Sequence, residues 1–389
     1  MRIAQMLDSL AWGGAQKMQL FLVETLLPLG VELTVISLHD VKGLPVAEKL
    51  REAGVRVVTF PFPRLFMPGS FMHLVNFLRV EKFDLLHAYL AYANIVGPLA
   101  ARLTNTPSIA SLRNADLEYR DYSTQRAFLE TFSMRYLATR VMANGLVVAE
   151  FARQRLKDSR PVDIIPNAVD FIPALPSSER EQLRTEICGD SKRPIILSVG
   201  RLTIAKGFHD LIDAFALVHA QHASAALVIA GGGSLQAEFQ AHIQRLGLKD
   251  HVFMLGRRND VPRLLASSDV YVNSSHWEGT PVSVLEAMAA GLPVVATAVG
   301  ESPHLLENGA GLLVSAHQPQ ELAAALNSLL ASTSDREKFG QAALERISQR
   351  YSREIWRRSL LDLYAQITPK AGPYLAQISS SPLQTTNEV

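Results

Sequence analysis

The sequence has very little cysteine, almost no net charge and no long apolar run. Cys188 is the only cysteine in 389 residues. This excludes an internal disulfide and a cysteine-rich zinc site, and it fits a reducing compartment. We expect this thiol to be partly buried and inert. The 38 lysines and arginines nearly balance the 37 acidic residues, so no broad basic surface for nucleic acid is indicated.

A membrane-spanning helix and a secretory signal are also missing. A spanning helix needs roughly 18 apolar residues in a row, and the best candidate, residues 88–101, is too short and contains Gly97 and Pro98. Asp8 interrupts the apolar start of the chain, which therefore reads as a first strand rather than a signal peptide. We expect a cytoplasmic protein that is soluble or peripheral on a membrane.

Short apolar runs alternate with amphipathic segments through both halves of the chain. RIAQML, ELTVISL and DLLHAY lie in the first half, and PIILSVGR, AALVIAGGG and DVYVNSS lie in the second. Apolar runs without alternation are typical of strands covered on both faces, as in a parallel sheet wrapped by helices. The pattern predicts an α/β protein with two doubly wound parallel-sheet domains. Ligands of such sheets bind beyond the carboxyl ends of the strands, so we expect a functional cleft between the domains.

The domain boundary is predicted near Phe171. A proline-rich segment with almost no charge surrounds Asp170 and precedes a helical pattern. The first domain is therefore predicted over residues 1–170 and the second over 171–368. The final helix, 351–368, is a candidate to pack back on the first domain. Residues 370–389 show no periodicity and are predicted to be disordered.

Two glutamates flank a predicted helix start in the segment EGTPVSVLEAMAAG. Thr280 is predicted as its N-cap and Pro281 as its first helical residue. Glu278 then lies just outside the helix and Glu286 about one turn inside. Glu286 is the only charged residue between Glu278 and Glu301. We therefore expect it in a dry setting, where a polyhydroxyl ligand would donate hydrogen bonds to its carboxylate. The open alternative is a Glu278 that caps the helix or forms a salt bridge, together with a solvent-facing Glu286.

The start of this helix and a pair of cations predict phosphate binding. The first N–H groups, at Val282 and Ser283, and the positive helix end form a seat for phosphate. Arg201 and Lys206 lie in the loop after the strand PIILSV, where they could neutralise a diphosphate leaving group. Two solvated loop cations are the alternative. Because side chains would supply the positive charge and no clustered Asp/His set is evident, we predict no metal and no other cofactor.

Gly13 and Gly14 follow the first predicted strand and permit close approach of a ligand to the backbone. An ordinary tight turn explains them equally. The spacing G-x-G-x-x-G is absent both here and in AGGGS at residues 230–234. A dinucleotide-binding dehydrogenase is therefore disfavoured.

These pieces, in this order, resemble the GT-B glycosyltransferases of the retaining family 4 type, including bacterial enzymes that build surface polysaccharides. The resemblance spans roughly residues 1–368. Its most specific markers are VGRLTIAKG, the block DVYVNSSHWEGTPVSVLEAMAAGLPVVAT and ENGAGLLV. It implies transfer of a sugar from a nucleotide-diphosphate sugar, with a UDP-sugar favoured, to a glycan or lipid-linked acceptor. The expected setting is bacterial surface polysaccharide or lipopolysaccharide biosynthesis.

The resemblance also implies roles for residues. Glu286 would bind the ribose hydroxyls, Glu278 would lie at the donor sugar, and Arg201 and Lys206 would hold the diphosphate. Front-face attack would give retention without a general base, because the diphosphate accepts the proton of the acceptor. The other candidate donor-binding positions are Gly13, Gly14, Gly279, Thr280, Pro281, Val282 and Ser283.

Three positions depart from the family pattern, and at one of them Ala168 stands where relatives carry a glycine. Arg113 stands where many relatives carry a histidine, and His304 stands where relatives carry a glutamate. An arginine cannot act as a base, but it can bind an acceptor or a phosphate anion. His87, at the end of DLLH, is either an acceptor contact or a hydrogen-bonded structural histidine.

The acceptor side is less legible. Residues 60–71 are aromatic and turn-rich, and residues 120–160 are basic, so the first domain could rest on anionic lipid. An ordinary solvated surface is the alternative. Two other functions stay open: a sugar-nucleotide epimerase of related fold, and a non-catalytic sugar-nucleotide-binding protein.

Overall fold

The computed structural model describes residues 1–11, 13–40, 42–62, 64, 67–114 and 124–379. The chain forms two compact units. One comprises Met1–Asn167 together with the chain from Arg353 onward, and the other comprises Ala168–Ser352. Each unit is built on a wholly parallel sheet. The predicted α/β architecture of two doubly wound parallel sheets is confirmed.

The sheet of the first unit has seven strands in the order β3-β2-β1-β4-β5-β6-β7. The chain winds outward from β1 to β3 and then returns to β4 on the other side of β1, which places a topological switch point between β1 and β4. The strands are β1 (Arg2–Leu7), β2 (Glu32–Ser37), β3 (Arg56–Thr59), β4 (Leu85–Tyr89), β5 (Ser108–Leu112), β6 (Arg140–Ala143) and β7 (Val162–Ile164). The helices are α1 (Gly14–Leu26), α2 (Pro45–Glu52), α3 (Pro68–Glu81), α4 (Ala91–Leu103), α5 (Thr124–Tyr136) and α6 (Leu146–Leu156).

The sheet of the second unit has six strands in the order β10-β9-β8-β11-β12-β13, so its switch point lies between β8 and β11. The strands are β8 (Ile195–Val199), β9 (Ala226–Ala230), β10 (Val252–Gly256), β11 (Val270–Asn273), β12 (Val294–Thr297) and β13 (Leu312–Val314). The helices are α7 (Ser177–Cys188), α8 (Phe208–Gln221), α9 (Gln236–Arg245), α10 (Val261–Ser267), α11 (Val282–Ala289), α12 (Ser302–Leu305), α13 (Pro319–Ala331) and α14 (Thr333–Arg346).

Burial on both faces explains why the strands are apolar without alternation. Every residue of β9 and β12 is buried. Alternate side chains of a strand enter different clusters: Leu197 packs with the residues of α11, and Ile196 packs with those of α8. Cys188 is buried in the first of these clusters, and burial raises its pKa, as expected of an inert thiol.

The C-terminal helices α15 (Arg353–Ala365) and α16 (Gly372–Ser379) belong to the first unit. The predicted second domain, 171–368, thus differs from the observed unit at both ends. Trp356 of α15 contacts Phe21 of α1 edge-on, with ring centroids 5.3 Å apart. Residues 372–379 were predicted to be disordered but form α16, where the Tyr374 hydroxyl accepts a hydrogen bond from the amino terminus at 2.7 Å. Residues 380–389 lie outside the described residues.

Candidate functional site

The predicted donor residues lie at the switch point of the second sheet. The loop after β8 carries Arg201 and Lys206, and the loop after β11 carries Glu278. Strands β8 and β11 are neighbours in the sheet, although their helical connections lead to opposite sides. In open parallel sheets this crevice is where ligands bind.

Lys206 and Glu278 form a partly buried ion pair. The Lys206 ammonium contacts Oε1 of Glu278, and the two side chains keep only 19% and 11% of their surface exposed. The same carboxylate oxygen accepts hydrogen bonds from the Ser275 hydroxyl at 2.8 Å and from the Asn273 amide at 3.5 Å. Oε2 takes part in none of these three contacts, so one oxygen is held while the other can meet a ligand.

Arg201 is exposed, and its loop is set by backbone packing against AGGGS. Gly200 donates to Ala230 at 3.1 Å, and Leu202 donates to Gly232 at 3.2 Å. A Cβ on Gly233 would come within 2.3 Å of the Leu202 carbonyl oxygen. The glycines at 230–234, which lack a dinucleotide fingerprint, therefore fix the loop that carries Arg201.

Helix α11 begins one residue later than predicted. Pro281 is its N-cap, with an extended ψ of 98°, and Val282 is the first helical residue. The expectation that Thr280 is the N-cap is wrong, because the extended backbone at Pro281 delays the first helical turn. The N–H groups of Val284 and Leu285 both donate to the Pro281 carbonyl. The N–H groups of Val282 and Ser283 come earlier in the chain than these two donors. They therefore lie at the N-terminal end of the helix, as the phosphate hypothesis requires.

Glu286 is less enclosed than expected. It is half-buried and shares a helical face with Ser283 and Ala290, which are also half-buried. The apolar residues around it in sequence are buried on the other faces of α11. The lack of neighbouring charges thus reflects those buried faces rather than a dry setting for this carboxylate.

Tyr271 contacts both the end of β8 and the start of α11. The sequence did not predict a role for this residue. It lies in β11 with no exposed surface, and its hydroxyl donates to the Val199 carbonyl at 3.4 Å. Burial is the main reason why the pKa of this hydroxyl is raised; Glu286 and Glu278 raise it further, whereas the hydrogen bond to Ser283 lowers it. Tyr271 therefore lies within electrostatic range of both glutamates and contacts the start of α11. Nothing in the sequence distinguishes it from an ordinary apolar strand residue.

Gly300 packs the loop after β12 against the loop that carries Glu278. Its φ is 52°, and a Cβ would lie 2.4 Å from the Glu278 carbonyl oxygen. Beside it, Glu301 donates its N–H to the Gly279 carbonyl at 2.9 Å. His304 lies in α12 and is 36% exposed, where its Nδ1 contacts Glu307 at 2.9 Å. The side chain that replaces the family glutamate is thus engaged with a neighbouring acid.

The remaining candidate residues belong to the first unit, whereas the donor residues described above belong to the second. They are Gly13, Gly14, His87 and Arg113. Gly13 is the N-cap of α1, and Gly14 is its first residue. A Cβ on Gly13 would come within 2.6 Å of the amide oxygen of Gln16. The added Cβ would thus meet only the end of one flexible side chain, and a contact between this backbone and a ligand stays a prediction.

His87 is a structural histidine. Its side chain has no exposed surface, and its ring nitrogens contact the Tyr364 hydroxyl at 2.9 Å and the Ser111 hydroxyl at 2.6 Å. Burial, and secondly the charge of Arg113, lower its pKa well below the usual value. The acceptor role for His87 is not supported, because strand β4 turns this side chain into the interior.

Arg113 immediately follows β5 and is only 6% exposed. Its guanidinium lies 4.6 Å from the centre of the Tyr89 ring and donates to the Asn167 amide oxygen at 3.1 Å. Burial lowers its pKa, and Tyr89 and Tyr364 raise it. Its Nε has no hydrogen-bond partner within the described part of the chain. An acceptor contact at Arg113 stays a prediction.

The aromatic segment 60–71 contributes mainly to the core. Phe62 is buried, and Phe60 and Phe71 pack against the same apolar cluster. Leu65 and Phe66 lie outside the described residues. Across the described ranges, none of the helices combines the length and the apolar character needed to cross a bilayer.

Two family models match the chain, one in each half. The model described as Glycosyltransferase Family 4 matches residues 12–171, and the model described as Glycosyl transferases group 1 matches residues 179–346. The lipopolysaccharide core biosynthesis glycosyltransferase LpsE of Rhizobium meliloti is 27% identical over 91% of this chain and 95% of its own. The UDP-Gal:alpha-D-GlcNAc-diphosphoundecaprenol alpha-1,3-galactosyltransferase of Escherichia coli is also 27% identical, but the match spans 61% of this chain and 64% of that protein.

Solved structures share this fold over nearly the whole chain. The crystal structure of Anabaena HepE in complex with UDP has a TM-score of 0.84 and 24% identity, covering 94% of this chain and all of that chain. The complex of the same protein with UDP-glucose has a TM-score of 0.78 and 23% identity, covering 96% of this chain and 99% of that chain. At this level of identity the likeness establishes the fold.

Proposed function

The chain belongs to the GT-B glycosyltransferases of the family 4 type, and from this premise we propose that it transfers a sugar, with retention, from a UDP-sugar to a glycan or lipid-linked acceptor in bacterial surface polysaccharide assembly. The observation that carries the proposal is the meeting of Lys206 and Glu278 at the switch point of the second sheet, beside the start of α11. The complexes of HepE with UDP and with UDP-glucose support a uridine nucleotide in the donor. The names of LpsE and the E. coli enzyme support the setting.

Lys206 can serve both Glu278 and a donor, because an ammonium has three N–H groups. One is engaged with Oε1 of Glu278, and the others can bind diphosphate oxygens together with Arg201. The other carboxylate oxygen of Glu278, Oε2, would then accept a hydrogen bond from a hydroxyl of the donor sugar. Glu286, on the half-exposed face of α11, would accept hydrogen bonds from the ribose.

In the reaction, the bond between the anomeric carbon and the phosphate oxygen breaks, and the oxygen keeps the electron pair. Arg201, Lys206 and the first N–H groups of α11 stabilise the charge on this oxygen. The acceptor hydroxyl attacks the same face of the sugar and gives its proton to the departing diphosphate. Because these groups supply the positive charge, the reaction is proposed to need no metal.

The acceptor is proposed to bind at the switch point of the first sheet, between β1 and β4. Asp8 follows β1 there, and the Gly13–Gly14 turn opens α1 nearby in sequence. With His87 buried, Arg113 is the remaining acceptor candidate of the sequence analysis. As a cation it would favour an acceptor that carries an anionic group.

Contact with a membrane is proposed through α5. Phe128, Phe132 and Tyr136 are exposed by 67%, 44% and 60%. Their spacing of four residues puts them on one face of the helix, and Arg135 lies beside the Tyr136 ring. An aromatic stripe with a cation suits an anionic lipid surface.

This contact is tested by flotation with anionic vesicles. The wild type should float with the vesicles, whereas the double variant Phe128→Ser/Phe132→Ser should stay unbound. A wild type that stays unbound at low salt contradicts the contact.

The donor site is tested with UDP-, GDP- and ADP-glucose in the presence of EDTA, reading affinity by calorimetry and slow donor hydrolysis by NMR. We expect UDP-glucose to bind best and the released sugar to keep its anomeric configuration. Glu286→Gln and Lys206→Met should each weaken donor binding about tenfold to a hundredfold, or roughly 1.4 to 2.8 kcal/mol.

Matched controls lie next to each other on α14, where Glu337 and Lys338 are exposed. Glu337→Gln and Lys338→Met make the same chemical changes and should leave binding unchanged. Equal affinity in all four variants contradicts the site. Interconversion of UDP-sugars without an acceptor would favour the epimerase, and tight binding without hydrolysis or transfer would favour a non-catalytic protein.

A further inference from the structure

Three side chains of metal-ligating type meet in the second unit. Asp210 lies in the first turn of α8, His276 in the loop after β11 and His317 in the loop after β13. One potential ligand atom from each residue lies within 4.8 Å of the other two. The sequence does not reveal this set, because these residues are far apart in the chain and only the carboxyl edge of the sheet brings them together.

The spacing of the cluster suits a small divalent cation. Oδ2 of Asp210 lies 2.9 Å from Nε2 of His276 and 3.7 Å from Nδ1 of His317. Around tetrahedral zinc, ligand atoms about 2.0 to 2.2 Å from the ion are roughly 3.4 Å apart. The two observed separations lie on either side of this value. The imidazole rings are also adjacent, with centroids 3.8 Å apart.

The backbone constrains two of the three residues. His276 donates its N–H to the Ala205 carbonyl at 2.8 Å. Its ring lies so close to Gly207 that a Cβ there would come within 2.9 Å of the ring. His317 has a φ of 60°, a left-handed conformation that costs a side chain free energy and favours glycine.

We propose that Asp210, His276 and His317 form a zinc site with water as the fourth ligand. Two imidazoles and a carboxylate, with one open position, form a ligand set that zinc accepts. Asp210 lies four residues after Lys206, across the left-handed Gly207 that precedes α8, and His276 lies two residues before Glu278. The ion therefore ties together the two segments that hold the Lys206–Glu278 pair. The site uses none of the proposed donor-binding residues and does not rest on the proposed transferase function.

The test uses full-length protein freed of metal with EDTA and then desalted. Zinc is titrated against a chromophoric competitor, and melting temperature is followed with and without zinc. His317→Gly is the informative variant, because glycine suits the left-handed backbone at this position. Without zinc it should be at least as stable as the wild type, yet it should bind zinc at least about tenfold more weakly. Asp210→Asn should weaken binding to a similar extent.

His209→Ala is the matched control, because His209 also contacts a carboxylate, Glu238 at 2.7 Å, but has no third ligand in the described chain. It should bind zinc like the wild type. Zinc should raise the melting temperature of the wild type and of this control, but not that of His317→Gly. Equal zinc affinity in the wild type and His317→Gly overturns the proposal, whatever the outcome of the donor experiments.

Discussion

At the scale of single residues, the fold changes the pKa of Asp8 by burying its carboxylate. It follows β1 at the switch point of the first sheet, and its carboxylate accepts hydrogen bonds from the N–H groups of Tyr92 at 3.1 Å and Ala93 at 2.7 Å. Burial raises its pKa from 3.8 to about 6, more than these two bonds lower it. In the sequence Asp8 is only a charge that interrupts the apolar start of the chain, because its burial comes from elements distant in the chain.

This shift predicts a pH dependence of stability. The folded pKa of about 6 exceeds the unfolded value of 3.8, so ionisation of Asp8 disfavours the fold. The cost is absent below pH 4, grows as pH rises from 4 to 6, and reaches at most about 3 kcal/mol above pH 6. Asp8→Asn should therefore match the wild type at pH 4 and exceed it in stability at pH 7, measured by urea unfolding. A difference that is the same at both pH values contradicts this.

At the scale of elements, the loops beyond β8 and β11 are held together by close backbone packing. Gly207 precedes α8 with a φ of 59°, and a Cβ would lie 2.0 Å from the Ser274 carbonyl oxygen. The Ser274 hydroxyl also donates to the Lys206 carbonyl at 2.9 Å. The sequence predicted the loop that carries Arg201 and Lys206, and it predicted the start of α11 to within a residue. Nothing in the sequence specified which loops touch.

Gly207→Ala should damage both folding and donor binding. The left-handed backbone and the clash with Ser274 together should cost roughly 2 to 4 kcal/mol of unfolding free energy. Gly247→Ala is the control, because Gly247 has a φ of 70° with nothing within 4 Å of the added Cβ. It should cost only about 1 kcal/mol and leave donor affinity intact. Equal costs in urea unfolding would show that packing between these loops is unimportant.

At the scale of the whole molecule, the chain leaves the first unit at Asn167 and returns to it at Arg353. The returning helix α15 buries Trp356, Leu360 and Tyr364. Tyr364 completes the hydrogen bonds of His87, and Arg353 contacts Glu24 at 3.1 Å. The first unit is therefore built from both ends of the sequence.

Trp356→Ala should destabilise the first unit alone. Loss of the buried indole and its contact with Phe21 should cost about 3 to 5 kcal/mol. Hydrogen exchange should then quicken in β1, β4 and α1 while β8 and β11 keep their protection. Arg358→Ala, at an exposed position of the same helix, should change neither unit. Faster exchange in the second unit instead would contradict the assignment of α15.

The sequence by itself determined the elements and the family, because apolar runs, glycines and the Glu278–Glu286 spacing are local patterns that any reader of the chain can see. The tertiary structure decided which side chains face inward and which meet. It buried His87, left Glu286 half-buried, placed Tyr271 within electrostatic range of both glutamates, and brought Asp210, His276 and His317 together. The physical reason is that burial and contact depend on how strands are ordered in the sheet and on how loops pack, and these involve residues far apart in the chain.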